Sequence, residues 1–281
     1  MTTTKEMAIK AATETIFNMF RSGEFPEQIG WAIIHRHKDD DKPCLHWSMS
    51  NFIIMLAHRT TDARTYHQWI EAGRYVRKGS KAFTIIAPVI VKKHNDDTDK
   101  DEMKLVGFKA IPVFAYESTG KLDADQSDIA AVDYTPEVIP ELNQKIITAL
   151  KAWGLTVEYR PVEDRPGALG YFRQSYNEGK GLIVLSENSP AVLAHETMHY
   201  LHSQEENLST VDNAKAELVA ELGAAVLLSY MNITGYEQQS WEYLKDFVGE
   251  EANESKVLSK LCGILSLVEK CILRLLNAIE A

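Results

Sequence analysis

The sequence predicts an α+β protein in two parts: a small N-terminal sheet with helices beside it, then a mainly helical part with a short β-hairpin. Three observations carry that expectation. Two β-rich runs, KAFTIIAPVIVKK and LVGFKAIPVFAYE, flank the polar insert HNDDTDKDEMK, the pattern of a hairpin with a charged tip. Beyond about residue 136, apolar residues recur mostly at helical spacing in long segments. Charge divides at the same place: residues 1–120 carry 17 Lys+Arg against 15 Asp+Glu, and the remainder 13 against 25. The expected boundaries are 1–120 for the first domain, 121–135 for a linker and 136–281 for the second domain.

Elements follow in order. TKEMAIKAATETIFNMFR spaces Met7, Ala11, Ile16 and Phe20 as a helix does. FPEQIG breaks it, and WAIIH reads as a strand. SMSNFIIMLAHR reads as a helix capped by Ser48 or Ser50, and TYHQWIEAG as a short element closed by Gly73. The two β runs come next, and STGKLDADQSDIAAVDY, polar and acidic, reads as the linker. PELNQKIITALKAWG is a helix. GALGYFRQSYNEGKGLIVLS alternates like a hairpin turning at Asn177–Gly179. Ser189 is a good N-cap and Pro190 suits the first helical position, so a helix starts there. Further helices run from about Val211 to Met231 and from about Ser255 to Ile279.

Composition narrows the function. At 281 residues and 45% hydrophobic content there is enough for a sizeable core. No apolar run approaches membrane-spanning length, and the opening MTTTKEMAIK lacks the apolar stretch of a signal peptide. Three scattered cysteines without a CxxC argue against a disulfide framework. The expectation is a cytoplasmic protein with no membrane partner. A net charge of −10 makes the whole chain a poor polyanion binder, so any nucleic-acid site is local and lies in the first part.

The helix SPAVLAHETMHYLH carries His195, Glu196 and His199. Residues four apart share a helix face, so the two imidazoles can aim at one point. Glu196, beside the first histidine, can reach a water there, which gives HExxH its content of two ligands and a general base. The next helix, NAKAELVAELGAAVLL, carries Glu217 and Glu221 four apart on a stripe otherwise small and apolar. Like charges at that spacing repel, and a cation between the helices removes the difficulty. Glu217 is then the third ligand and Glu221 an acceptor for a histidine N–H. Glu205, six residues beyond His199, is a competing third ligand, disfavoured because His202 stands where that arrangement needs a glycine. Alternatively, the motif is accidental and the two glutamates are a solvated face. The expected cofactor is Zn2+, and the expected reaction is peptide-bond hydrolysis with Glu196 as the base. Tyr200 and Tyr171 are candidate oxyanion donors. An unidentified protein or peptide is the expected substrate, held by strand addition to the hairpin.

In the first part, GRYVRKGSKAF places Arg74, Arg77, Lys78 and Lys81 around Tyr75, just after Trp69. Aromatics among cations suit single-stranded nucleic acid, where bases stack on rings and phosphates meet Lys or Arg. The alternative is a basic turn leading into a strand, with the tryptophans as core.

Together these residues carry a resemblance. Trp31, Pro43, Asn51, HQWIEAGRYVRKGSKAFTI and FKAIPVFAYE, then ALGYF, GLIVL, HETMH and AELVAELGAAVLL, resemble ArdC-type antirestriction proteins from about Trp31 to Leu228. That resemblance implies a single-stranded-DNA-binding domain followed by a zincin-like (gluzincin-type) metallopeptidase domain. It implies His195, His199 and Glu217 as ligands with Glu196 catalytic, and protection of incoming plasmid or phage DNA from host restriction. Alternatives are a non-catalytic DNA-protecting or protein-interaction protein with a structural metal, and a peptidase that clears a repressor or DNA-bound protein. The C-terminal helix is a possible homo-oligomer contact or simply core.

Overall fold

A computed structural model describes residues 4–22, 25–36, 42–95, 100–123, 138–162, 168–174, 181–233 and 254–280. Helix α1 (Thr4–Ser22) turns Ala12, Ile16 and Met19 inward at spacings of four and three. Helix α2 (Phe25–Arg36) replaces the strand expected at WAIIH. Pro26 falls in its first turn, where a missing N–H costs no intrahelical bond, and Ile29, Ala32 and Ile33 are fully buried at helical spacing. The β-branched pair Ile33–Ile34 suggested a strand, and tertiary burial overrode that weak preference.

Pro43–His46 forms a 3-10 turn before α3 (Met49–Ala57), whose cap is Ser48: the Asn51 N–H donates to its hydroxyl at 3.4 Å. Strand β1 (Ala63–Arg64) precedes α4 (Tyr66–Glu71), which begins in a reciprocal Thr65–Gln68 capping box. Strand β2 (Arg74–Val76) is followed by the long hairpin of β3 (Phe83–Asn95) and β4 (Lys100–Ala115), as the two β-rich runs predict. Asn51 runs its amide along the outer edge of β3, donating to Ile86 O at 2.6 Å and accepting from Ile86 N at 2.9 Å. Edge groups that would otherwise seek another strand are satisfied there. Thr119–Lys121, taken from the sequence as the start of the linker, is a strand (β5) antiparallel to β2.

The second part begins with α5 (Leu142–Ala152), close to expectation. Three strands form a sheet in the order β6-β8-β7: β6 (Thr156–Tyr159), β7 (Gly170–Gln174) and β8 (Gly181–Leu185). Strands β7 and β8 are the expected antiparallel hairpin, whose turn at 177–179 lies outside the described residues. Strand β6 pairs in parallel with β8 and has no counterpart in the sequence reading. Helices α6 (Pro190–Glu205), α7 (Asn213–Tyr230) and α8 (Glu254–Glu280) are the remaining elements among the described residues.

The buried apolar residues make one contiguous core drawn from both parts. Helix α7 packs on α2, where Tyr230 Oη donates to Gly30 O at 2.8 Å, and Arg36 of α2 pairs with Glu269 of α8. The apolar face of α8, including Leu261, Leu265, Val268, Ile272 and Leu275, is fully buried within the chain. Among the described residues no helix is long and apolar enough to cross a membrane.

Candidate metal centre

Helix α6 starts where the sequence places it, with Val192 N donating to Ser189 Oγ at 3.5 Å and Pro190 in the first turn. Two glycines let neighbouring elements close on it. A Cβ at Gly170 of β7 would lie 2.6 Å from Val192 Cγ1 and 3.3 Å from Glu196 Cγ, so only glycine lets this strand lie across the helix at Glu196. A Cβ at Gly223 of α7 would stand 2.7 Å from Met198 Sδ, so α7 presses directly on the middle of α6. That approach brings the glutamates of α7 to the histidines of α6.

His195 Nε2 and His199 Nε2 lie 3.0 Å apart. Glu217 reaches both, with Oε2 at 3.5 Å from His195 Nε2 and Oε1 at 3.6 Å from His199 Nε2. Ligands about 2.0–2.1 Å from one ion at tetrahedral angles stand about 3.3 Å apart, so the donor set fits a divalent ion of zinc type in spacing and chemistry. Among the described residues these three form the group able to hold a metal. Glu221 Oε1 is 3.2 Å from His195 Nδ1, the outer contact that fixes a ligand imidazole with its other nitrogen facing inward. Glu196 is 7% exposed, beside this group and under β7.

The electrostatics of the metal-free cluster are lopsided. Burial disfavours charge on His195, but hydrogen bonds to Glu217 and Glu221 outweigh it and raise its pKa to about 10. Burial and then the charge on His195 lower His199 to about 4. The hydrogen bond from His195 holds Glu217 below its ordinary value against the opposing effect of burial. Without an ion, then, the contacts of His195 to Glu217 and Glu221 favour its protonated form. An ion must displace that proton.

The remaining residues predicted around this centre separate. Glu205, the competing ligand, points toward Arg274 at 3.9 Å and is not in the group. Tyr171 is buried and its hydroxyl accepts from Arg160 Nη2 at 3.1 Å. Tyr200 packs its ring between Trp153 and Phe172. His202 is fully buried against Glu206.

The N-terminal candidates divide more sharply. Trp69 is fully buried, and its Nε1 donates to Phe114 O at 2.9 Å, so its ring has no face for a base. Arg74 is also buried: its Nε donates to Thr119 Oγ1 at 2.8 Å and its guanidinium lies over the Tyr116 ring. Both side chains are buried rather than displayed at the surface. Arg77, Lys78 and Lys81 are exposed, and Tyr75 is 43% exposed. Arg77 also steadies the turn by donating from Nη1 to Glu117 O at 3.1 Å. Sequence reasoning missed Tyr66 and Ile70, both substantially exposed on α4 beside β2. The two are four apart on one helix, and that spacing was the available signal.

Fold and site together define a mixed α+β chain whose two packed helices offer two imidazoles and a carboxylate to one divalent ion. Residues 9–116 match the family described as the N-terminal domain of anti-restriction factor ArdC. Over 96% of this chain and 98% of the other, the fold is similar to the crystal structure of the antirestriction ArdC protein from R388 plasmid in its metal-free form, with 17% identity and a TM-score of 0.53. The Mn(II)-bound structure of that plasmid protein gives 16% identity and a TM-score of 0.50 over the same shares. No curated protein is detectably similar in sequence. The sequence match is confined to the first part of the chain, and over the whole chain the likeness is one of fold.

Proposed function

We propose that the chain is an antirestriction-type protein of a mobile element or phage that binds single-stranded DNA through its N-terminal part and hydrolyses peptide bonds at the α6–α7 site. The observation that carries the peptidase reading is the donor set: His195, His199 and Glu217 converge, Glu221 backs His195, and Glu196 stands beside them. The second part is then a gluzincin-type domain. Its ion is zinc by donor chemistry, although the relative from R388 has been solved with Mn(II). A bound divalent ion supplies Lewis acidity and makes a nearby water acidic. Glu196 takes the proton from the attacking water and delivers it to the leaving amine. The outer edge of β7 offers backbone groups to an extended peptide.

For DNA, the exposed Tyr75, Arg77, Lys78 and Lys81, with Tyr66 on the adjoining helix, replace the set that included Trp69 and Arg74. Rings and cations on one surface serve stacking and phosphate contact.

Glu196→Gln tests the reading. The substitution keeps the shape and the ligands, so metal content by elemental analysis should match the unaltered chain. Cleavage of a peptide library should fall by about 10²–10⁴-fold. Unchanged cleavage would remove Glu196 as the base. Protection from restriction that survives in the variant would make the ion structural and place the function on DNA alone.

A further inference from the structure

A second polar cluster sits just beyond the ligands, where α6 ends and α7 begins. Glu206 follows the last turn of α6, and its N–H donates to His202 O at 2.9 Å. Lys215 Nζ of α7 donates to both carboxylate oxygens of Glu206, at 2.7 and 2.5 Å, and His202 Nε2 lies 3.2 Å from the same carboxylate. His202 is fully buried, and its Nδ1 has no partner among the described residues. Between the helices the chain turns tightly on Asn207, which accepts from Ser209 N at its side chain and from Thr210 N at its carbonyl.

Stability does not account for this arrangement. An ion pair as accessible as Glu206–Lys215, with side chains 36% and 26% exposed, contributes little. Burying an imidazole with one nitrogen unpaired is unfavourable. The location is informative, because the cluster crosses between the two helices that carry the ligands. His202 is three residues after His199, and Lys215 is two before Glu217.

We infer that Glu206, gripped by His202 and Lys215, is a positioning residue that sets α7 against α6 and so holds the Glu217 carboxylate within reach of His195 and His199. This rests on the metal reading of the site. An accessible ion pair that joins two helices can change metal affinity by about 2–5-fold when lost. The cluster acts on the distance between ligands rather than on any one of them.

Charge alone makes a different forecast, and the two can be separated. Removing Lys215 takes a cation from near a cation site and would tighten metal binding. Removing the charge of Glu206 would weaken it. A latch requires both to weaken it. The full-length chain and its variants Glu206→Gln, Lys215→Met and Lys215→Arg are titrated with Mn(II), and free Mn(II) is read by electron paramagnetic resonance. Circular dichroism of each metal-free protein reports the fold. The expected result is affinity about 2–5-fold lower for both Glu206→Gln and Lys215→Met at unchanged circular dichroism, with Lys215→Arg near the unaltered chain. Tighter binding by Lys215→Met, or equal binding by all four proteins, overturns the latch alone. Absence of Mn(II) binding by the unaltered chain overturns the metal reading and the latch with it.

Discussion

The α6–α7 site and the basic segment at β2 were both singled out from the sequence, and the fold treats them differently. At the metal centre all four predicted residues around the ion come together: His195, His199 and Glu217 as a group, with Glu221 behind His195. Around β2 the six predicted DNA contacts separate into two buried residues, Trp69 of α4 and Arg74 of β2, and four exposed ones. The difference lies in the period of the element. On a helix, residues four apart share a face whatever the helix packs against, so the ligand pairs were fixed locally. On β2 the neighbours Arg74 and Tyr75 point to opposite sides, and which side is buried depends on a partner, as the burial of Trp69 on α4 does. For β2 that partner is β5, some 45 residues away by the Arg74–Thr119 hydrogen bond.

The largest test of this contrast is Trp69→Ala. If the indole is core, truncation should destabilise the chain by about 3–5 kcal/mol, seen as a lowered urea midpoint. A stability change under about 1 kcal/mol together with weaker DNA binding would restore Trp69 as a surface stacking ring and erase the contrast.

Next in size is Glu221→Gln. It keeps the side chain but removes the charge facing His195 Nδ1, and metal affinity should drop by about 10–100-fold in a competition titration with a chelator. An unchanged affinity would reduce the Glu221–His195 contact to ordinary packing and shrink the legible part of the site to three residues.

What else was legible follows the same division. The caps Ser48 and Ser189, the β3–β4 hairpin and the β7–β8 pairing are set by short-range signals, and the structure has them. Helix α2 was misread because β-branched residues mark strands only on average, and burial of Ile29 and Ile33 against other helices decided the matter. The parallel β6 and the strand β5 were invisible because each is defined by a partner distant in sequence. Asn51 could not be read as an edge clamp without knowing that β3 passes beside α3. Neither could the Glu206–Lys215 bridge, since a Glu and a Lys nine residues apart across a turn are usually just solvated.

The metal centre also makes a pH forecast. In the metal-free chain His195 titrates at about 10 and His199 at about 4. Between those values one proton leaves for each ion bound, so affinity should rise about tenfold per pH unit and level off near pH 10. Stability of the metal-free fold has the matching sign. The raised pKa of His195 stabilises fully below about 6.5, and that contribution is lost as pH rises through 10. The depressed pKa of His199 lowers stability as pH falls from 6.5 toward 4. Calorimetry at pH 7 in two buffers of different ionisation enthalpy measures the proton count. A count of zero would show that His195 is already neutral and that its contacts to Glu217 and Glu221 are weaker than the geometry indicates.

The smallest effect belongs to the exposed cations of the N-terminal part. Arg77 and Lys78 occupy a turn around Gly79, which has a φ of +89°, a conformation that glycine adopts freely. The turn is closed by Ser80 N donating to Arg77 O at 3.1 Å. Backbone bonds hold the loop, the Arg77 side chain adds one more to Glu117 O, and Lys78 can be truncated without loosening it. If each meets one phosphate, Arg77→Ala and Lys78→Ala should each reduce the slope of log affinity against log salt by about 0.7 for a single strand. Fluorescence anisotropy of a labelled oligonucleotide at several salt concentrations resolves that change. Arg74→Ala should behave differently: with its guanidinium inside, removal disturbs the Thr119 and Tyr116 contacts and leaves the slope where it was. A reduced slope for Arg74→Ala and none for Lys78→Ala would mean that DNA draws the buried guanidinium out, so that the division between core and surface at β2 holds only for the free protein.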